Sequence, residues 1–272
     1  MLVVNGGDNT VTSFVITRDG LSRRDVEPSG GVGPVSVTVS DNLVYVLNAG
    51  SDAITGFRLN AHGDLKPIAG STRQLSGTGT GAAQVQFNRD GDSLVVTEKT
   101  TNKIDTFAVG HRGLITGVTV TNSVGVVPYG FDIDRRDHVI VSEAATGSAS
   151  SYQLRDGSLD VISGSVVDTQ GAPCWLIASR NGQFAFTTNA ASGTISSYRI
   201  ARDGSLTLLA AVAGTPGAGP TDVAQSSDGQ FLYARVRNGD IAAFGVGADG
   251  SLTDLGTVTG AISVGPSGLA AS

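Results

Sequence analysis

FAFTTNAASGTISSY (residues 184–198) holds an apolar run, a polar loop and a second run that ends on an aromatic residue. Alternating and β-branched residues of this kind fit two short strands joined by a turn, and no helical period runs through them. The same order recurs six times. The closing aromatics are Phe14, Phe57, Phe107, Tyr152, Tyr198 and Phe244, at separations of 43, 50, 45, 46 and 46 residues. A glycine turn follows each one, at Gly20, Gly63, Gly113, Gly157, Gly204 and Gly250, with a leucine one or two residues beyond. A proline opens the strand ahead of the apolar run at Pro34, Pro128, Pro173, Pro220 and Pro266, and Ala82 takes the remaining place.

Each copy therefore reads as four short strands, and four strands per ~45 residues is the pattern of a β-propeller. The copies fall at approximately 2–42, 43–93, 94–138, 139–183, 184–230 and 231–272. The chain opens on a second strand, MLVVNGG, and closes on a first, GPSGLAAS. Pairing those ends would complete one blade and remove open sheet edges. The expected fold is a single all-β domain: a six-bladed β-propeller of four-stranded antiparallel blades, one of them closed by the N- and C-terminal strands.

Composition narrows the partners. Of 272 residues, 38 are glycine and only 15% are charged, with a net charge of −6. No run of lysine and arginine exists, which argues against nucleic acid and anionic membranes. A single cysteine, Cys174, excludes an intrachain disulfide. No apolar stretch reaches the ~18 residues that span a bilayer, and the N-terminus lacks a basic leader region. Read as written, this is a soluble, cytoplasmic monomer that meets a small-molecule substrate, with a leader removed ahead of Met1 left open.

In a propeller the first strands line the central channel, so polar residues at the ends of the apolar strands gather at its mouth. Nine residues before each aromatic stand Asn5, Asn48, Glu98, Glu143, Asn189 and Arg235. An asparagine here can cap loop amides. A charge in the same framework needs a partner or a ligand, so internal pairing and catalysis compete for Glu98, Glu143 and Arg235. Among first-strand residues, Trp175 can serve as a ligand platform or as packing between blades. Tyr129, Asp222 and Gln84 are further candidates. His62, His111 and His138 fall near turns and read as solvated, and Cys174 reads as a small buried residue. GTGTGA (residues 77–82) lacks the strand–loop–helix context of a phosphate cradle.

The strings LVVTEKTTNKIDTF (residues 94–107), YGFDID (129–134), APCWL (172–176) and FAFTTNAASGTISSY resemble the lactonase-type β-propeller family, which includes 6-phosphogluconolactonase and carboxymuconate cyclases. The resemblance covers essentially the whole chain. Relatives usually carry seven blades, where this chain carries six repeats. The resemblance implies hydrolysis of a small cyclic ester or carboxylated substrate. Glu98 or Glu143 would then activate water or abstract a proton, and Arg235 would bind a carboxylate or a developing oxyanion. Trp175 would form one wall, with Tyr129, Asp222, Gln84, Asn48, Asn189 and Asn5 lining the rest. A divalent cation fits such a Glu/Asn ring, with no ligand set specified and no other cofactor expected. A cyclase or isomerase using the same ring, and a non-catalytic binding propeller, are the alternatives. The histidine that lactonases of the family often place between prolines at the first-strand entrance has no counterpart here.

Overall fold

The computed structural model describes residues 1–260 and 268–271. The fold is all-β, a six-bladed β-propeller whose sheets group into two compact units. One unit is Met1–Ser123 with Asp156–Ser158, and the other is Val124–Arg155 with Leu159–Ser272.

The first unit begins with a three-stranded sheet of β1 (Leu2–Asn5), β2 (Thr10–Thr17) and β3 (Gly20–Pro28). Next come β4 (Pro34–Ser40), β5 (Leu43–Asn48) and β6 (Ala53–Leu59), whose outer strand is split into β7 (Leu65–Pro67) and β8 (Arg73–Gln74). The third sheet is β9 (Ala82–Phe87), β10 (Ser93–Glu98), β11 (Lys103–Ala108) and β12 (Thr119–Asn122). The second unit holds three four-stranded sheets. They are β13 (Pro128–Ile133), β14 (His138–Glu143), β15 (Ser148–Arg155) and β16 (Ser158–Val167); β17 (Pro173–Ala178), β18 (Phe184–Asn189), β19 (Thr194–Ile200) and β20 (Leu206–Gly214); and β21 (Pro220–Gln225), β22 (Phe231–Val236), β23 (Ile241–Val246) and β24 (Leu252–Val258).

The repeat markers land where the sequence puts them. Each described first strand starts on its proline or on Ala82. Opposite the second strands lie the aromatics, with Phe57 facing Val44, Phe107 facing Leu94, Tyr152 facing Val139, Tyr198 facing Ala185 and Phe244 facing Leu232. Strands β5, β10, β14 and β18 are buried along their whole length. Tyr45 and Leu47 of one blade pack with Leu94 and Val96 of the next, and Phe186 packs with Leu232 and Phe244. This apolar burial is the main driving force for folding.

The turn glycines close these interfaces. Gly250 has φ +86°, and a Cβ there would lie 2.5 Å from Phe184 Cδ1. Gly250→Ala is therefore expected to cost about 1–3 kcal/mol from backbone strain and overpacking, read as a lower urea midpoint.

One expectation needs revision here. His138 is not a solvated turn residue: it is 3% exposed, and its Nδ1 lies 2.8 Å from Asp134 Oδ2. Asp134 Oδ1 also accepts from the backbone N–H groups of Arg136 and His138, so the imidazole is locked onto the strand-connecting turn. His62 and His111 are exposed, as expected. Residues 261–267 and 272 of the expected closing strand lie outside the described residues, and residues 268–271 form no strand. Among the described residues no helix is long and apolar enough to cross a membrane.

Candidate functional site

All five described first strands carry a β-bulge just after their opening residue. The opening residues pair across to the second-strand ends: Pro34 with Asn48, Ala82 with Glu98, Pro128 with Glu143, and Pro173 with Asn189. Those ends point at the linkers that carry the chain from one blade to the next.

Glu143 shows what they do there. It is fully buried, and its Oε1 accepts from Gly125 N (2.7 Å) and Ser150 Oγ (2.6 Å). Its Oε2 accepts from Ser148 Oγ and Ser165 Oγ, both at 2.7 Å. Glu98, also fully buried, accepts from Ser76 N at 3.1 Å, from Ser76 Oγ at 2.7 Å and from Thr101 Oγ1. Asn48 Nδ2 donates to the carbonyl of linker residue Ser29 at 3.1 Å. Asn5 donates to Thr10 and Thr12, and Asn189 to Thr194 and Ser196. Ser196 passes on to the buried Asp168, whose carboxyl burial pushes above the usual range. The common task of this polar position is to tie linkers and third strands to the second strand.

Arg235 does not belong to that set. In the last blade Pro220 pairs with Val236, and Arg235 pairs with Asp222 one residue earlier. The loop after β22 is one residue shorter than its counterparts, so counting back from Phe244 lands one residue off. Arg235 is thus equivalent to Thr97, Ser142 and Thr188, and its side chain leaves the opposite face of the strand. The strings NGQFAFTTN and DGQFLYARV, aligned on their shared Gly-Gln-Phe, give the correct register.

That register brings Arg235 to other candidates. Strands β13, β17 and β21 lie side by side in the second unit. Trp175 and Asp222 stand at the same level on neighbouring strands, two residues past Pro173 and Pro220. The rings of Tyr129 and Trp175 meet edge to face with centroids 5.3 Å apart. Gly130 permits this approach, since a Cβ there would lie 2.6 Å from the Cys174 carbonyl and 2.8 Å from Trp175 Cα. Gly130→Ala is expected to displace the tryptophan, read as a shift in its fluorescence.

Tyr129, Cys174, Trp175, Thr221 and Asp222 are each half-buried and keep a solvent-facing side, Cys174 among them despite its reading as a buried residue. Arg235 is 2% exposed, with its Nη1 2.6 Å from Thr221 Oγ1. Asp222 accepts from Val223 N at 2.8 Å and from Leu269 N at 2.5 Å. Burial pushes its carboxyl up to about 6, against the backbone hydrogen bonds and the Arg235 guanidinium. A carboxyl tuned to that range, beside a cation and an aromatic pair, is suited to proton transfer near neutral pH.

The other candidates are elsewhere. Asn5, Asn48, Gln84 and Glu98 belong to the first unit, where Gln84 bonds Gln86 at 3.2 Å. Glu143 and Asn189 sit in the second unit at their linkers. The groove of ≈ 400 Å³ between Leu209, Val212, Asp249 and Leu252 contains none of the candidates. Among the described residues no three of His, Cys, Asp and Glu gather as a metal site. The GTGTG loop does cradle an anion, but an internal one: Gly79 N and Thr80 N donate to the carboxylate of Asp52.

Comparison with the curated proteins found no match. Among solved structures, the chain is similar to a protein from Lactobacillus plantarum, with 19% identity, TM-score 0.76, and coverage of 91% of this chain and 77% of that one. A candidate 6-phosphogluconolactonase from Bacteroides fragilis gives 18% identity and TM-score 0.78, covering 94% of this chain and 83% of that one. The periplasmic gluconolactonase of Pseudomonas aeruginosa gives 18% identity and TM-score 0.71, covering 94% and 82%. At such identities these likenesses speak to the fold. The family described as lactonase, 7-bladed beta-propeller, matches residues 1–160 and 142–268. With nearly its whole length matched and six repeats in place of seven blades, this chain belongs to the lactonase β-propeller family.

Proposed function

We propose that this lactonase-family protein hydrolyses a small lactone held against Trp175 and Tyr129, with Asp222 as general base and Arg235 as the electrostatic partner. The observation that carries the reading is the pairing of Asp222 with Arg235 across β21 and β22, beside the Tyr129–Trp175 pair. The lactone ring lies on the aromatic surface. Asp222 takes a proton from water as its oxygen attacks the ring carbonyl. The tetrahedral oxyanion develops near the guanidinium, and the ring C–O bond breaks as the protonated Asp222 returns the proton to the leaving alkoxide. The product is an open-chain hydroxy acid. In this reading the base is Asp222, while the carboxylates of Glu98 and Glu143 are engaged at their linkers.

The test is turnover of a panel of five- and six-membered lactones by the wild type and by Asp222→Asn. The variant is expected to lose about 10²–10⁴-fold in kcat, the usual worth of a general base. Stability should move the other way. A folded carboxyl raised from 3.8 to about 6 contributes fully below pH ~4, and that contribution is lost as pH rises through about 6. The ionised Asp222 therefore costs about 3 kcal/mol above that window. Asp222→Asn should show no such loss of melting temperature between pH 4 and 7. An unchanged kcat would overturn the assignment.

A further inference from the structure

The linker between the second and third blades is held by more acid than its geometry can keep ionised. Ser76 N donates at once to Glu98 Oε1 at 3.1 Å and to Asp105 Oδ2 at 2.7 Å. Both carboxyls are fully buried, and Asp105 Oδ1 has no hydrogen-bond partner among the described residues. In four of the other five sheets the position of Asp105 holds a hydroxyl, at Thr12, Thr55, Ser150 and Ser196, and in the last it is Ala242. Here a second carboxyl replaces it and converges on the same amide.

Two carboxylates sharing one buried N–H repel strongly in a low-dielectric interior, so one of them keeps a proton. Glu98 has Ser76 Oγ and Thr101 Oγ1 as further donors and is the better anion. The proton therefore resides on Asp105. Burial, then the hydrogen bond and the charge of Glu98, push the Asp105 carboxyl up to about 8. The cation facing the pair is Lys103, on β11, whose Nζ lies 3.4 Å from Ser76 Oγ. Strands β9 and β12 and linker residues 75–81 carry no ionisable side chain. Asp52, from the second blade, grips the far end of the same linker through Gly79 and Thr80.

We infer that Glu98 and Asp105 form a one-proton latch on this linker: the shared proton holds Ser76 against the third blade, and its loss frees the linker while the sheets stay folded. The sign follows from linkage. A folded Asp raised above its unfolded value contributes fully below about pH 4, and that contribution is lost as pH rises through about 8. The latch is closed at neutral pH and opens under mildly alkaline conditions.

Amide hydrogen exchange tests it with an internal reference. Gly125 N is the corresponding linker amide on Glu143, where the hydroxyl of Ser150 takes the place of the second carboxyl. Its rate carries the ordinary base catalysis of exchange, so the Ser76:Gly125 ratio reports the latch alone. In the wild type that ratio should climb by about tenfold per pH unit as pH rises towards 8 and level off above it, the slope of one linked proton. In Asp105→Asn, which keeps an acceptor for Ser76 and a donor for Glu98, the ratio should stay flat. A carboxyl ¹³C titration of wild-type Asp105 should have its midpoint near 8 and needs no variant. A flat wild-type ratio, or an Asp105 midpoint in the ordinary carboxyl range, would overturn the latch.

Discussion

Glu143→Ala should lower the melting temperature by ~10 °C, one of the largest single-site losses of stability in the molecule. The carboxylate takes four hydrogen bonds from Gly125, Ser148, Ser150 and Ser165. Truncation leaves a buried backbone N–H and three hydroxyls short of a partner. Each unsatisfied group costs ~1–3 kcal/mol, but the hydroxyls can rotate to bond one another or a water, so about 3 kcal/mol in all is the realistic loss. Glu143→Gln should cost far less. Its carbonyl can keep Gly125 and Ser150, while its amide donates to Ser148 and Ser165. The linker side offers an independent approach to the same contact. A Cβ on Gly125 would lie 1.9 Å from Glu143 Oε2, so Gly125→Ala should be destabilising in the wild type. In the Glu143→Ala background that methyl enters the space the carboxylate left, and its cost should largely vanish. Additive losses in this double-mutant cycle would show that the linker contact is not what Glu143 supplies.

Glu143 also shows why the fold was easier to read than the site. The aromatic, glycine and proline markers report backbone geometry and burial, which every blade must satisfy in the same way. Their period alone therefore placed the strands. The polar position at the second-strand ends was visible for the same reason, and Glu98 and Glu143 looked exceptional there because they are charged. Their partners were not visible, since Ser76 and Gly125 lie on linkers whose lengths differ between repeats. A carboxylate closed by hydroxyls and one amide has the same sequence signature as one open to substrate. Arg235 failed differently. The count from Phe244 assumed a constant loop length, and one deleted residue moved it to the other face of its strand. Trp175, Tyr129 and Asp222 were singled out from their level on the first strands, and Tyr129 and Trp175 do touch. Thr221, which holds Arg235, carried no signal because a hydroxyl near a strand start is common in this sequence. Asp105 did carry one: it is an acid where four other repeats have serine or threonine.

Arg235→Thr gives the sharpest view of the proposed site, because the protein itself supplies the control. Threonine stands at the equivalent place at Thr97 and Thr188, so the backbone and the β-bulge accept it. The substitution removes the guanidinium beside Asp222 and the bond from Nη1 to Thr221 Oγ1. Two effects should appear together. Loss of the positive charge where the oxyanion develops should reduce kcat/KM for a lactone by about 10²–10³-fold, the range for a removed electrostatic stabiliser. The guanidinium also holds the Asp222 carboxyl down against the effect of burial. Without it that carboxyl rises, and the acid limb of the pH–rate profile should move up from about 6. A merely structural role for Arg235 would lower the amount of folded enzyme and leave the limb where it was. The rate measured well above the limb isolates the oxyanion effect, since Asp222 is ionised there in both proteins. If the variant regains wild-type turnover at high pH, Arg235 acts only by tuning Asp222. If neither the rate nor the limb changes, the reaction takes place away from this arginine.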